Sequence, residues 1–92
     1  MLVMVDDVQF ESKERFFKYI SKALGCEEDE INSSAELFDV LCEFKSELEV
    51  MFYDKDEIPE EMKNFSEEIF AAFMNAKAAN ESLTVTFGTT TV

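Results

Sequence analysis

"SELEVMFYDKDEIPEEM", residues 46–62, sets two patterns back to back. Leu48 to Tyr53 is an apolar run, broken only by Glu49 and containing valine, phenylalanine and tyrosine, which predicts a β-strand. Asp54 to Ile58 reads as its exit loop. Pro59, followed by Glu60 and Glu61, then starts a helix. Proline suits the first helical position, where no amide hydrogen is needed, and carboxylates suit the positive end of the helix dipole. A strand that runs into a helix reaches its next neighbour by a crossover, the connection that makes sheets parallel.

Working outward, the same alternation of strand and helix recurs. Downstream, Met62, Phe65, Ile69, Ala72, Phe73 and Ala76 keep helical phase to near Asn80. Asn64 and Ser66 could each cap a new start, so residues 59–79 form one helix or two. Leu83, Val85 and Phe87 then alternate with Thr84 and Thr86 as a last strand, and residues 89–92 read as a frayed tail to a single domain over residues 1–88.

Upstream, Ser33-x-x-Glu36 is a capping box. At about 100° per residue, Leu37, Val40, Leu41 and Phe44 gather on one face of the helix it opens, and Glu36, Asp39 and Glu43 gather nearly opposite. Ser12 caps an earlier helix with Phe16, Ile20, Ala23 and Leu24 on one side, and Gly25 ends it. Leu2 to Val5, stopped by Asp6-Asp7, reads as a strand covered on both faces, hence central in the sheet. The order β-α-α-β-α-β predicts an α/β fold with a three-stranded parallel sheet, right-handed crossovers and three to four helices.

The composition supports such a domain. A chain of 92 residues buries only about 60–65% of its unfolded surface, so its core must be efficient, and ten phenylalanines with just two glycines and one proline meet that need. Cys26 and Cys42 are too few for a disulfide scaffold or a four-ligand zinc site. The opening "MLVMVDD" lacks a secretory signal's basic segment, and no apolar run reaches the roughly 18 residues of a membrane span. The expectation is a cytoplasmic protein with no membrane partner.

Several chemistries lack their residues. Without histidine there is no His-based triad or metal site, and without a glycine-rich loop there is no phosphate cradle. "EEDEINSS" and "DKDEIPEE" are acid-rich but lack the ligand alternation, central glycine and closing glutamate of a calcium loop. No enzymatic activity, cofactor or metal is expected. The net charge of −13 argues against nucleic acid, whose phosphates need cations, and favours a basic protein partner. Residues 27–61 hold 14 of the 21 acids against Lys45 and Lys55, whereas Lys13, Arg15, Lys18 and Lys22 face only Glu14 in residues 13–22. Charge runs are usually solvated faces, and that bland reading applies to "EEDEINSSAELFDVLCEF", residues 27–44, as well.

A resemblance sharpens it. "LFDVLCEF" and "FMNAKAANESLTVTF", in this order of elements, resemble the barstar family of intracellular ribonuclease inhibitors over nearly the whole chain. The matching segments are the L-aromatic-D-x-L stretch, residues 37–41, and the F-x-x-A-K-A helix end, residues 73–78. The resemblance implies a monomer that caps the active site of a small basic ribonuclease of the barnase type with its second helix and the loop before it. Asp39 matches the helix aspartate that takes the place of a substrate phosphate, and Phe44 stands for a family tryptophan.

The departures are specific. The acids of residues 27–30 replace a tyrosine-glycine loop, with Asp29 near the aromatic contact position and Glu30 beside it. Ala35 replaces a second helix acid, and Asn75 a late-helix glutamate. Glu36 and Glu43 could compensate electrostatically, with Phe38 and Cys42 as uncharged neighbours of the stripe. The alternative is an acidic adaptor or regulatory module for a basic protein that is not a nuclease.

Overall fold

Residues 1–27 and 30–88 are described by the structure, a computed structural model. In chain order its main elements are β1 (Leu2–Val5), α1 (Lys13–Ala23), α2 (Ser34–Glu43), β2 (Leu48–Tyr53), α3 (Lys63–Ala79) and β3 (Leu83–Gly88). Single 3-10 turns occupy Asp7–Phe10, Lys55–Glu57 and Glu60–Met62. The sheet is parallel throughout, in the order β1-β2-β3, with Val3 opposite Val50 and Val50 opposite Val85. The expected α/β fold is therefore present. The open question at residues 59–79 resolves as one helix, α3, behind a 3-10 turn. The reading of residues 89–92 as a frayed tail lies outside the described residues.

One expectation is overturned: β1 is an edge strand and β2 is central. Strand order follows chain order, so two crossovers of one hand stepping in one direction carry every helix to the same face. Among the described residues no helix covers the other face. Val3 and Val5 are buried beneath the helices, but Leu2 and Met4 point away from them and are 56% and 50% exposed. A continuous apolar tetrapeptide thus sits in a strand covered on one face only.

The covered face is built from Val3, Val5, Leu48, Val50, Phe52, Leu83 and Val85, all buried. Against it pack Phe16 and Ile20 of α1, Leu37 and Leu41 of α2, and Ile69, Phe73 and Ala76 of α3. Each large side chain so buried contributes about 1.5–3 kcal/mol. Phenylalanines tie the layers together. Phe10, from the turn after β1, stacks on Phe16 at 5.0 Å, and Phe52 meets Phe70 and Phe73 edge-on at 5.0 and 5.1 Å. At the β3 edge Phe87 stacks on Phe52 at 5.4 Å yet remains 43% exposed.

Local chemistry fixes the ends. Ser12 Oγ accepts from the Arg15 amide, as its position before α1 implies. Gly25, at φ 77°, closes α1: its amide donates to the Lys22 carbonyl and the Cys26 amide to the Ser21 carbonyl, the paired bonds of a glycine C-terminal cap. The Tyr19 hydroxyl donates to the Met4 carbonyl and ties α1 to the β1 edge. Ser21 of α1 has a fully buried hydroxyl without a hydrogen-bond partner among the described residues. Because such a group carries its desolvation cost uncompensated, Ser21→Ala should raise stability by about 1 kcal/mol in urea titration.

Asn80, the residue after α3, joins three elements. Its Nδ2 donates to the carbonyls of Leu41 and Phe44 at 2.9 and 3.0 Å, and its Oδ1 accepts from the Ser82 amide at 3.0 Å. It thereby satisfies the carboxyl end of α2 while setting the turn into β3. Asn80→Ala should cost about 1–3 kcal/mol, read by urea denaturation, because half-buried carbonyls lose their donor.

Candidate protein-binding site

α2 starts where Ser33 Oγ accepts from the Glu36 amide at 3.2 Å. The Glu36 carboxylate reaches back to the Asn32 amide at 3.2 Å and also accepts from the Ser33 hydroxyl at 3.3 Å. The capping box expected from Ser33 and Glu36 therefore forms with its return bond displaced by one residue. Glu36 is exposed, but its carboxylate is occupied in holding the helix start.

Leu37 and Leu41 are fully buried, and Val40 and Phe44 are half-buried against the core. With that side anchored, Glu36, Asp39 and Glu43 stand exposed on the opposite side as a ridge. Among the described residues no side chain pairs with Asp39. A groove runs along each flank of the ridge.

On one flank, α2 and α3 border an open groove of about 300 Å3 lined by Ser34, Ala35, Phe38, Asp39, Glu68, Ala71, Ala72 and Asn75. Four expected contact residues, Ala35, Phe38, Asp39 and Asn75, thus meet in one place. Glu68 is an addition: its carboxylate accepts from the Ser34 hydroxyl at 2.6 Å and brings a second acid to the groove. Glu68, Ala71 or Ala72, and Asn75 recur at helical spacing, so the phase that places Asn75 here also carried the signal for Glu68. Small alanines between two acids leave room for the stem and head of a long cationic side chain.

On the other flank lies a second open groove of about 390 Å3, lined by Leu24, Cys26, Glu30, Val40, Glu43, Phe44, Lys45 and Ser46. Glu30, Glu43 and Phe44 are therefore brought together, but away from Ala35 and Asn75. Lys45 puts a cation among these acids. Cys42 is half-buried against the core and lines neither groove. Asp29 lies outside the described residues.

The Cys26 thiol is pushed from 9.0 up to about 11, first by burial, then by its hydrogen bond to the Glu30 carboxylate and the charge of that group. Well below pH 9 the thiol is protonated in folded and unfolded chains alike. Between pH 9 and about 11 the unfolded thiol ionises first, so stability should fall as the pH rises through this window, and Cys26→Ala should flatten the fall in paired urea titrations. The Tyr19 phenol is also raised, by burial and then by Asp6, and acts in the same direction; the paired comparison removes its contribution.

Among the described residues no group of three His, Cys, Asp or Glu side chains could hold a metal ion, and no helix is long and apolar enough to cross a membrane. No protein-family model matches the chain, and no curated protein does. The chain is an α/β fold with a three-stranded parallel sheet.

Proposed function

We propose that this protein is an inhibitor of the barstar type, which binds and blocks the basic active site of a small secreted ribonuclease with α2 and the loop before it. The observation that carries the reading is Asp39: exposed, unpaired among the described residues, on a helix pinned by buried leucines, at the wall of a groove shared with α3. It occupies the position that the resemblance assigns to the phosphate-mimicking aspartate.

A carboxylate held this way meets an arginine or lysine with little ordering left to do, and charge-assisted hydrogen bonds are the strong kind. Glu68 supplies a second acceptor across the groove, where Asn75 replaces the family glutamate. The net charge of −13 draws a cationic enzyme toward the ridge and speeds encounter. Inhibition follows from occupancy of the cleft, without chemistry by the inhibitor.

A second reading, an acidic adaptor for a basic protein that is not a nuclease, draws on Ala35 and Asn75. Both line the groove, and both are uncharged where the family has acids. Titration of the protein into cleavage assays of several small basic ribonucleases separates the two. Stoichiometric inhibition that weakens as salt rises is expected; no inhibition of any of them removes the ribonuclease reading.

A further inference from the structure

Parallel sheets are ordinarily covered on both faces, because their crossovers place helices on each. Here both crossovers share one face, and the opposite face presents two registered rows, Leu2–Glu49–Thr84 and Met4–Met51–Thr86, with Tyr53 beyond them. None of these residues is buried. Leu2, Met4, Met51 and Tyr53 make the apolar part. The methionines add a deformable, polarisable surface of the kind that adapts to varied apolar partners.

Carboxylates gather at one end of this face. Glu49 interrupts the first row, and beside it Glu47 and Glu81 join Glu49 around a hollow of about 280 Å3 at the amino-terminal ends of β2 and β3. Among the described residues lining that hollow, the only cation is the α-amino group of Met1, which donates to the Glu47 carbonyl at 3.0 Å. An apolar strip ending in three carboxylates is complementary to an apolar strip ending in lysine or arginine.

Size and charge together choose the occupant. From strand and residue spacings the two rows cover roughly 200–300 Å2. A stable dimer needs about 800 Å2 from each partner, and two copies would bring −13 against −13. A single helix about 10 Å wide and three turns long matches the area.

We propose that the bare sheet face docks an amphipathic helix of a partner protein, its apolar side on Leu2, Met4, Met51 and Tyr53 and a basic residue in the hollow of Glu47, Glu49 and Glu81. This surface lies on the sheet, whereas the ridge of Asp39 lies on α2 in the helical layer, so the two sites are tested separately. The probe is a 14-residue amidated peptide of leucine and lysine in helical phase, with a scrambled peptide of the same composition as control. Binding to the full chain is followed by fluorescence anisotropy and amide chemical shifts.

The phased peptide should bind saturably, shift amides of β1, β2 and β3, and bind at least tenfold more tightly than the scrambled one. The double variant Leu2→Ser with Met4→Ser, and separately Glu49→Gln, should weaken it at least tenfold and fivefold, whereas Asp39→Ala should change it less than twofold. Shifts confined to α2 and α3, equal binding of the scrambled peptide, or a concentration-dependent dimer in sedimentation that the peptide does not dissociate would each overturn the proposal. Ribonuclease inhibition is read independently, so failure of one site leaves the other standing.

Discussion

Leu41→Ala is expected to lower folding stability by about 2–5 kcal/mol. Leu41 is 0% exposed, lies on the core side of α2, and its carbonyl is one of the two held by Asn80. Truncation removes buried apolar surface and leaves a cavity that a sheet on one side and α3 on the other cannot easily close. Domains of this size have about 5–15 kcal/mol in total, so the loss is a large share of stability. In urea denaturation the midpoint should fall with an unchanged slope, and the melting temperature should drop by about 10 °C or more. An unaffected midpoint would mean that α2 does not rest on Leu41, and that its acidic side is not the presented one.

The second large effect leaves the fold untouched. Asp39→Ala should shift stability by less than about 0.5 kcal/mol, since an exposed carboxylate without a partner among the described residues has little to lose. Against a ribonuclease bound through α2 it should weaken the complex by about 2–5 kcal/mol, which is about 30- to 4000-fold in Kd, because a cation of the enzyme is left desolvated and unpaired. Glu43→Gln, on the other flank and beside Lys45, should cost far less and act mainly through the association rate. Equal losses from the two substitutions would point to diffuse attraction instead of a docked aspartate.

Much of this was legible in the residues alone because local signals agreed with one another. Ser12, Gly25, Ser33 and the alternation at Leu83 to Phe87 each mark an element end or type that the structure repeats. Helical phase also assigned the two sides of α2, with Leu37 and Leu41 inside and Asp39 outside. The coverage of β1 departs from the expectation for a physical reason. An apolar tetrapeptide looks the same whether two faces are covered or one, and only the strand order, a long-range property, decides it.

The turn Asp7–Phe10 carries no periodicity in the sequence, and its signal is a side-chain cap. The Asp6 carboxylate accepts from the Val8 amide while the Gln9 side chain accepts from the Asp6 amide. That turn delivers Phe10 to the core. Of the candidate site, the α2 half is readable from one helix. The α3 half, Glu68 and the alanines beside Asn75, needed the packing of two helices, which phase suggests only once their contact is known.

Amide chemical shifts of the isotope-labelled protein, recorded as a small basic ribonuclease is added, test the central claim most directly. Changes should concentrate at residues 34–43 of α2 and 68–75 of α3, with β1 and β3 unmoved, and should be absent in Asp39→Ala. No change on adding any such enzyme, or a complex that shifts the sheet face and spares Asp39, would contradict it.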